Sequence, residues 1–243
     1  MSGCGRLIGI GVGPGDPELL TLKAVRALCA TDVVAHFAKA GNESHARAVV
    51  AELLRPHVRE LPFRYPVTTE IVKHTAVYRT AIRSFYEGCA AAIAEHLDAR
   101  RIVAVICEGD PLFYGSYMHL HVRLAGRYPT EVIAGVTGMS GCWSSVGTPI
   151  AQGDDVLTVL PGTLPAEELE RRIADTDAAV VMKIGRHLSK VRRALARTGR
   201  LDRAIYVECA TMANAVVMPL EAKHDDCAPY FAIVLVPGWE TLS

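Results

Sequence analysis

The sequence predicts an α/β fold divided into two α/β domains. Three observations carry this. Apolar, strand-like runs alternate with helical patterns along the chain, the mark of α/β layering. The alternation pauses at Gly147-Thr148-Pro149-Ile150-Ala151-Gln152-Gly153-Asp154-Asp155, a stretch of turn formers, so the domains are placed at residues 1–147 and 148–243. Two apolar runs also end in one tripeptide: Leu7-Ile8-Gly9-Ile10-Gly11-Val12-Gly13-Pro14 leads into Gly15-Asp16-Pro17, and Ile102-Val103-Ala104-Val105-Ile106-Cys107-Glu108 leads into Gly109-Asp110-Pro111.

In the first domain, strands are expected over residues 6–11, 32–35, 59–61, 101–107 and 130–134. Residues 68–97 carry helical spacing in Ile71, Thr75, Tyr78, Ile82, Phe85, Ala92 and Leu97, with a break expected near Gly88. The second domain reads as strands over 155–160, 178–183, 203–208, 216–219 and 230–236, with amphipathic helices over 165–175 and 187–198. At each Gly-Asp-Pro, a buried strand is expected to stop at a Gly that admits another backbone or a ligand. The Asp then caps a helix, and the Pro has the fixed φ of a first helical turn. Loops at the carboxyl ends of parallel strands are where open α/β sheets hold ligands.

Composition narrows the partners. The chain has 243 residues, half of them apolar, enough for a sizeable core. Its 26 basic and 26 acidic residues balance, so no overall field recruits nucleic acid or an anionic membrane, and a charged ligand must meet a local cluster. At 6% aromatic residues there is no stacking platform for bases. Seven cysteines without a Cys-x-x-Cys fit a reducing compartment. Met1-Ser2-Gly3-Cys4-Gly5-Arg6 leads straight into a strand with no signal-peptide core, and no apolar run approaches the length of a membrane span. A cytoplasmic protein is expected.

The first glycine-rich segment does not fit a dinucleotide fingerprint. Counting G-x-G-x-x-G from Gly9 places Pro14 at the sixth position, and counting from Gly11 places Asp16 there. A P-loop Gly-Lys-Ser/Thr is absent. An Asp at the start of the helix puts negative charge where a pyrophosphate would sit, so a cationic or zwitterionic ligand suits the loop better.

The wording around the two loops carries a resemblance. Gly11-Val12-Gly13-Pro14-Gly15-Asp16-Pro17-Glu18-Leu19-Leu20-Thr21-Leu22-Lys23-Ala24 resembles the N-terminal signature of the tetrapyrrole methylase family, which transfers methyl groups from S-adenosylmethionine. Cys107-Glu108-Gly109-Asp110-Pro111-Leu112-Phe113-Tyr114-Gly115-Ser116 looks like that family's other cofactor loop, in wording most similar to the branch that methylates precorrin-2 at C-20. The likeness continues through Gly135-Val136-Thr137-Gly138-Met139-Ser140, Val159-Leu160-Pro161-Gly162-Thr163, Val181-Met182-Lys183-Ile184-Gly185 and Tyr206-Val207-Glu208-Cys209-Ala210-Thr211. Relatives that act on uroporphyrinogen III usually carry Gly where this chain has Glu108.

The resemblance implies a homodimer of two α/β domains, with S-adenosylmethionine in the cleft between the domains and a tetrapyrrole above it. Carried over position by position, Pro14, Glu108, Gly109, Asp110, Phe113, Thr137, Gly138, Met182, Cys209 and Ala210 are the expected cofactor residues. Gly138 stands where the family often has Ser or Ala, leaving only backbone contact there. Phe231-Ala232-Ile233 lacks the Ser expected in the last strand. The implied reaction is methylation of precorrin-2 to precorrin-3A in cobalamin biosynthesis. The alternatives are methylation of cobalt-factor II or another corrinoid, a non-catalytic tetrapyrrole or S-adenosylmethionine binding module, and a nicotinamide dehydrogenase.

Methyl transfer from a sulfonium moves positive charge off sulfur, so a carboxylate pressed against that sulfur would favour the ground state over the transition state. Asp110 is therefore expected at the ribose or amino group. Positioning of methyl and carbon carries most of the rate, and proximity is worth about 7–11 kcal/mol. Tyr114, Glu108 and His36 are the candidates, by location, for taking the displaced proton. The substrate's acetate and propionate rim calls for local cations, and the guanidinium fork matches carboxylates. Lys183, Arg186 and Arg83 are the chosen candidates, with Arg47, Arg64 and Arg79 in segments that could also face the substrate, and Tyr117 or Trp143 could stack on the macrocycle. His119 and His121 stand two apart and His74 alone, so no metal site is expected. Cys107 and Cys209 end strands, where a thiol is more often core than nucleophile.

Overall fold

In a computed structural model, which describes residues 5–66 and 76–238, contacts divide the chain into two units, 1–137 and 138–243. The first follows strand and helix in turn: β1 (Arg6–Gly11), α1 (Leu22–Ala30), β2 (Val33–Lys39), α2 (His45–Val49), β3 (Arg59–Tyr65), α3 (Ala76–Asp98), β4 (Ile102–Cys107), α4 (Tyr117–Leu124) and β5 (Thr130–Ile133). The strands form one sheet in the order β3-β2-β4-β1-β5, and every pairing is parallel.

Both faces of this sheet are covered at its centre, which is why β1 and β4 read as unbroken apolar runs. Leu7, Val33, Ala35, Val103, Val105 and Cys107 pack with α3 and α4. Their neighbours Ile8, Ile10, Val34, Ala104 and Ile106 pack on the other face with Ala24 and Leu28 of α1 and Ala46 of α2. The alternation is the period-2 pattern of a strand, doubled because neither face meets water.

The expected strands of this unit are all present, most of them longer or shorter by a few residues. The helix expected over 68–97 is described from Ala76, and Ile71, His74 and Thr75 lie outside the described residues. It does not break at Gly88. Tyr86, Cys89, Ala90, Ile93, Ala94 and Leu97 bury one continuous stripe, which outweighs the roughly 1 kcal/mol that a helical glycine costs. The two Gly-Asp-Pro turns also differ from expectation and from each other. Asp16 accepts from the Glu18 amide at 2.8 Å and opens only a 3-10 turn, Pro17–Leu19; α1 starts afterwards, capped by Thr21, whose side chain accepts from the Ala24 amide. Asp110 opens no helix, and α4 starts at Tyr117.

The second unit contains α5 (Gly138–Val146), β6 (Leu157–Pro161), α6 (Ala166–Ala174), β7 (Ala178–Met182), α7 (Leu188–Arg197), β8 (Ile205–Glu208), β9 (Val216–Pro219) and β10 (Ala232–Val236). The sheet order is β6-β7-β10-β8-β9, with β10 antiparallel to both β7 and β8. Leu169 and Ile173 of α6 and Leu188, Val191 and Leu195 of α7 cover one face, over Ala179, Val181, Tyr206 and Val234.

On the other face lies α5. Met139, Cys142, Trp143 and Val146, at spacings of three and four, pack on Val180, Val207, Ile233 and Leu235. The division at 137/138, instead of the expected 147/148, follows from this packing, since α5 buries its apolar stripe in the second sheet. No helix among the described residues is long and apolar enough to cross a membrane.

Candidate functional site

The two Gly-Asp-Pro loops leave neighbouring strands at the carboxyl edge of the first sheet and are stitched together. The Gly109 amide donates to the Gly13 carbonyl at 2.8 Å, the Gly13 amide donates back to Gly109 at 3.4 Å, and the Val12 amide donates to the Cys107 carbonyl at 2.9 Å. The result is an antiparallel bridge between loops that follow parallel strands. It requires both chains to turn sharply, and Gly13 at φ +79° and Gly109 at φ +63° supply the turn in a region that side chains rarely enter.

The loop after β5 joins them. Asp110 accepts from the Leu112 amide at 2.8 Å through Oδ1 and from the Gly135 amide at 3.1 Å through Oδ2. Gly135 lies so close that an added Cβ would sit 2.1 Å from the Gly109 carbonyl oxygen. Asp110 is thus the staple between two loops, with both oxygens engaged by the protein's own amides. A carboxylate oxygen can accept more than one hydrogen bond, so the expected cofactor contact and the staple are compatible.

Glu108 is exposed, with Oε1 accepting from the Ala46 amide at 3.3 Å in the first turn of α2. Ser44 caps that helix, accepting from the Arg47 amide. Arg47 then grips Glu60 with Nε at 2.8 Å and a terminal nitrogen at 3.0 Å, and Glu60 lies 3.3 Å from His36 Nε2. The Arg47 guanidinium holds Glu60 below the usual carboxylate range. His36 is only 7% exposed; burial lowers its pKa against the upward pull of Glu60, and its Nδ1 is buried with no hydrogen-bond partner among the described residues. Of the three proton-acceptor candidates, Glu108 and Tyr114 lie on the exposed loop, whereas His36 is sealed beneath α2 in an ion-pair chain.

Tyr114 is 47% exposed, edge-on to Phe113 at 4.9 Å, with φ +56°. A bulky residue in that region is strained and persists only where its surroundings hold it. Tyr117 is a correction. Its ring is 0% exposed and pressed on β1, where a Cβ on Gly9 would lie 2.5 Å away, and its hydroxyl meets His121 Nδ1 at 3.1 Å. It is a core residue and is not available to stack on a substrate. Cys107 is also core, its thiol pushed up to about 12 by burial.

In the second unit β6, β7 and β8 run in one direction, so Gly162, Met182, Cys209 and Ala210 all emerge from one edge of that sheet. Gly162 donates to the Met182 carbonyl at 2.6 Å and Cys209 to the Phe231 carbonyl at 2.8 Å. Lys183 at φ +56°, Cys209 at +47° and Thr211 at +69° occupy the left-handed region along that edge. Lys183 and Arg186 are exposed there, as is Arg83 on α3 of the first unit. An added Cβ at Gly138 would meet nothing within 4 Å, so packing does not demand glycine at that position.

The loop segments 11–18, 107–116 and 135–138 hold Asp16, Glu18, Glu108 and Asp110 and contain no Lys or Arg. That donor set fits a ligand bearing positive charge and repels a phosphate-rich one. Among the described residues, no group of three His, Cys, Asp or Glu is placed to hold a metal ion.

Comparison with known proteins agrees on the family. A family model described as Tetrapyrrole (Corrin/Porphyrin) Methylases matches residues 6–223. The chain is 64% identical over 238 residues to a precorrin-2 C(20)-methyltransferase of Sinorhizobium sp, covering 98% of this chain and 97% of that protein. It is 26% identical over 246 residues to a cobalt-precorrin-2 C(20)-methyltransferase of Salmonella typhimurium, covering 97% and 98%. The crystal structure of a uroporphyrin-III C-methyltransferase from Thermus thermophilus complexed with S-adenosylhomocysteine superposes with a TM-score of 0.66 at 25% identity, covering 95% of this chain and 96% of that one. With its repeated loops, its two sheets and these matches over nearly all its length, the chain belongs to the tetrapyrrole (corrin/porphyrin) methylase family.

Proposed function

We propose that this protein is an S-adenosylmethionine-dependent C-methyltransferase that methylates precorrin-2 at the meso carbon C-20, giving precorrin-3A in cobalamin biosynthesis. The observation that carries the reading is the interlocked, acidic, cation-free loop cluster at the carboxyl edge of the first sheet. The 64% identity to a protein named for that reaction supports the choice of substrate, and the much lower 26% identity to the cobalt-named relative favours the metal-free macrocycle.

Bound S-adenosylmethionine supplies an electrophilic methyl group on a sulfonium. Pro14, Glu108, Gly109, Asp110, Phe113, Thr137, Gly138, Met182, Cys209 and Ala210 are the residues proposed to hold it. The loop backbones fix its position, because the Gly13–Gly109 bridge and the Asp110 staple leave them little freedom to reorganise. Glu108 takes the proton that leaves the methylated carbon. Its Oε1 is anchored by the Ala46 amide, which orients the carboxylate, while the residue as a whole stays exposed. Lys183, Arg186 and Arg83 are proposed to meet substrate carboxylates. The family resemblance adds a homodimer, and the cysteine usage a reducing, cytoplasmic setting.

Isothermal titration with S-adenosylhomocysteine tests the reading at its root. Micromolar binding of one equivalent per chain is expected, and absence of heat at millimolar ligand contradicts it. Turnover of precorrin-2 beside cobalt-factor II then decides between metal-free and metal-loaded substrate.

A further inference from the structure

We infer that Arg79 and Arg83 form a carboxylate-binding subsite on the overhanging start of α3, which receives two acidic side chains of the tetrapyrrole. The inference rests on the proposed function and specifies how the substrate is gripped.

The overhang follows from lengths. α3 has 23 residues and is about 35 Å long, whereas β4, which it precedes, has six residues and spans about 20 Å. The helix ends at Asp98 and only three residues separate it from Ile102, where β4 begins, so the two are nearly flush at the amino edge of the sheet. The excess, roughly 15 Å, therefore falls on the carboxyl edge, where the Gly-Asp-Pro loops lie. Burial agrees. The side chains of α3 that pack into the core begin at Ile82 and run to Leu97, while Ala76, Val77, Arg79 and Thr80 are exposed.

On this projecting piece, Ala76, Arg79, Thr80 and Arg83 share one exposed face of the helix. Arg79 and Arg83 are four residues apart, hence on one face and one turn from each other. Neither guanidinium has a hydrogen bond or ion pair with a described residue, which is also true of Arg26, Arg59 and Arg100 in this unit. Two like charges on successive turns disfavour the helix that carries them, and an anion between them reverses the sign of that interaction.

The ligand chemistry is a pair of carboxylates about one helical turn apart, or one carboxylate held by both forks. The sheet spacing makes the reach reasonable. Adjacent strands lie about 4.8 Å apart, so β3, which precedes α3, is about 14 Å from β1, the width over which a tetrapyrrole lying across the loops would extend its rim.

The test is the Arg79→Gln/Arg83→Gln double variant beside Arg79→Lys/Arg83→Lys, each as full chain, with circular dichroism and S-adenosylhomocysteine titration reporting fold and cofactor affinity. The expected result is a KM for precorrin-2 raised about tenfold or more in the Gln pair, partial rescue in the Lys pair, a flatter dependence of KM on salt, and a cofactor Kd within about twofold of wild type. A KM for precorrin-2 within twofold of wild type, with wild type turning over normally, overturns the subsite alone. Wild type that binds no S-adenosylhomocysteine and transfers no methyl overturns the proposed function and takes the subsite with it.

Discussion

Gly13 and Gly109 hold each other by a reciprocal pair of backbone hydrogen bonds, Gly109 to Gly13 at 2.8 Å and Gly13 to Gly109 at 3.4 Å. Their strands are parallel neighbours, so the two loops reach the same edge together, and each chain must reverse locally for the amides to face one another. A pair of loops bonded in this way behaves as one rigid ledge, and a third loop, after β5, is packed against it at Gly135.

Gly135→Ala should break the ledge. Its methyl would fall 2.1 Å from the Gly109 carbonyl oxygen and 2.8 Å from Gly11 backbone, atoms that no side-chain rotation can remove. Overpacking of this kind costs about 1–3 kcal/mol. We expect a lower thermal midpoint and an S-adenosylhomocysteine Kd raised at least about tenfold, read by scanning and titration calorimetry. An unchanged Kd would show that the ledge does not position the cofactor.

Asp110→Asn keeps one carbonyl oxygen but turns an amide donor toward one of two backbone N–H groups. A donor left facing a donor costs about 1–3 kcal/mol, so cofactor affinity should fall by about one to two decades with the fold intact. If Asp110→Asn binds S-adenosylhomocysteine as wild type does, the staple is dispensable.

Glu108→Gln retains an oxygen for the Ala46 amide and removes the proton-accepting charge. Loss of a general base lowers kcat by about 10²- to 10⁴-fold. Single-turnover methylation at saturating S-adenosylmethionine should slow by that range, whatever the change in cofactor affinity. Undiminished turnover would reassign the base, with Tyr114 next in place.

Acidification should weaken the fold through His36 and Glu60 together. Burial lowers His36 from 6.5, so the folded state resists the proton that the unfolded chain accepts; this stability is complete above 6.5 and is lost as the pH falls through the lowered value. Glu60, held down chiefly by Arg47, adds a second loss at lower pH. Thermal midpoints should decline from pH 7 to pH 5, and His36→Gln should flatten the decline without abolishing it, because burial lowers His96 and His119 too. Superimposable pH profiles for the variant and wild type would contradict this.

Tyr117→Phe should behave as a core change alone. It preserves the ring against Gly9 and gives up the hydrogen bond to His121, worth about 0.5–1.5 kcal/mol. The KM for precorrin-2 should not move; a rise of tenfold would return Tyr117 to the substrate.

Much of this architecture was readable because its central strands β1, β4 and β10 are sealed on both faces. Residues 6–11 and 216–219 match β1 and β9 residue for residue, and both long helices of the second unit fall within a residue or so of their expected ends. The misses have physical causes. α2 has only five residues, too few for a periodic signal, and α5 dilutes its Met139-Cys142-Trp143-Val146 stripe with Gly and Ser, so no helix was expected there. Gly88 looked like a breaker because its exposed position has no neighbour to declare that packing elsewhere on α3 would carry the helix through.

At the site, repetition exposed the two Gly-Asp-Pro turns, but their bridge was invisible until the strand order placed β4 beside β1. Nor could spacing reveal that Asp110 spends both oxygens on amides, that α2 lies over His36 in an Arg47–Glu60 chain, or that Tyr117 points inward. Each depends on contacts between segments far apart in the chain.

The central claim is most directly tested by incubating the protein with precorrin-2 and S-adenosylmethionine carrying a 13C-methyl group, then recording the carbon NMR spectrum of the pigment. The account predicts one new enriched methyl resonance, attached at C-20. A macrocycle without label, or with label at any other ring position, would contradict it.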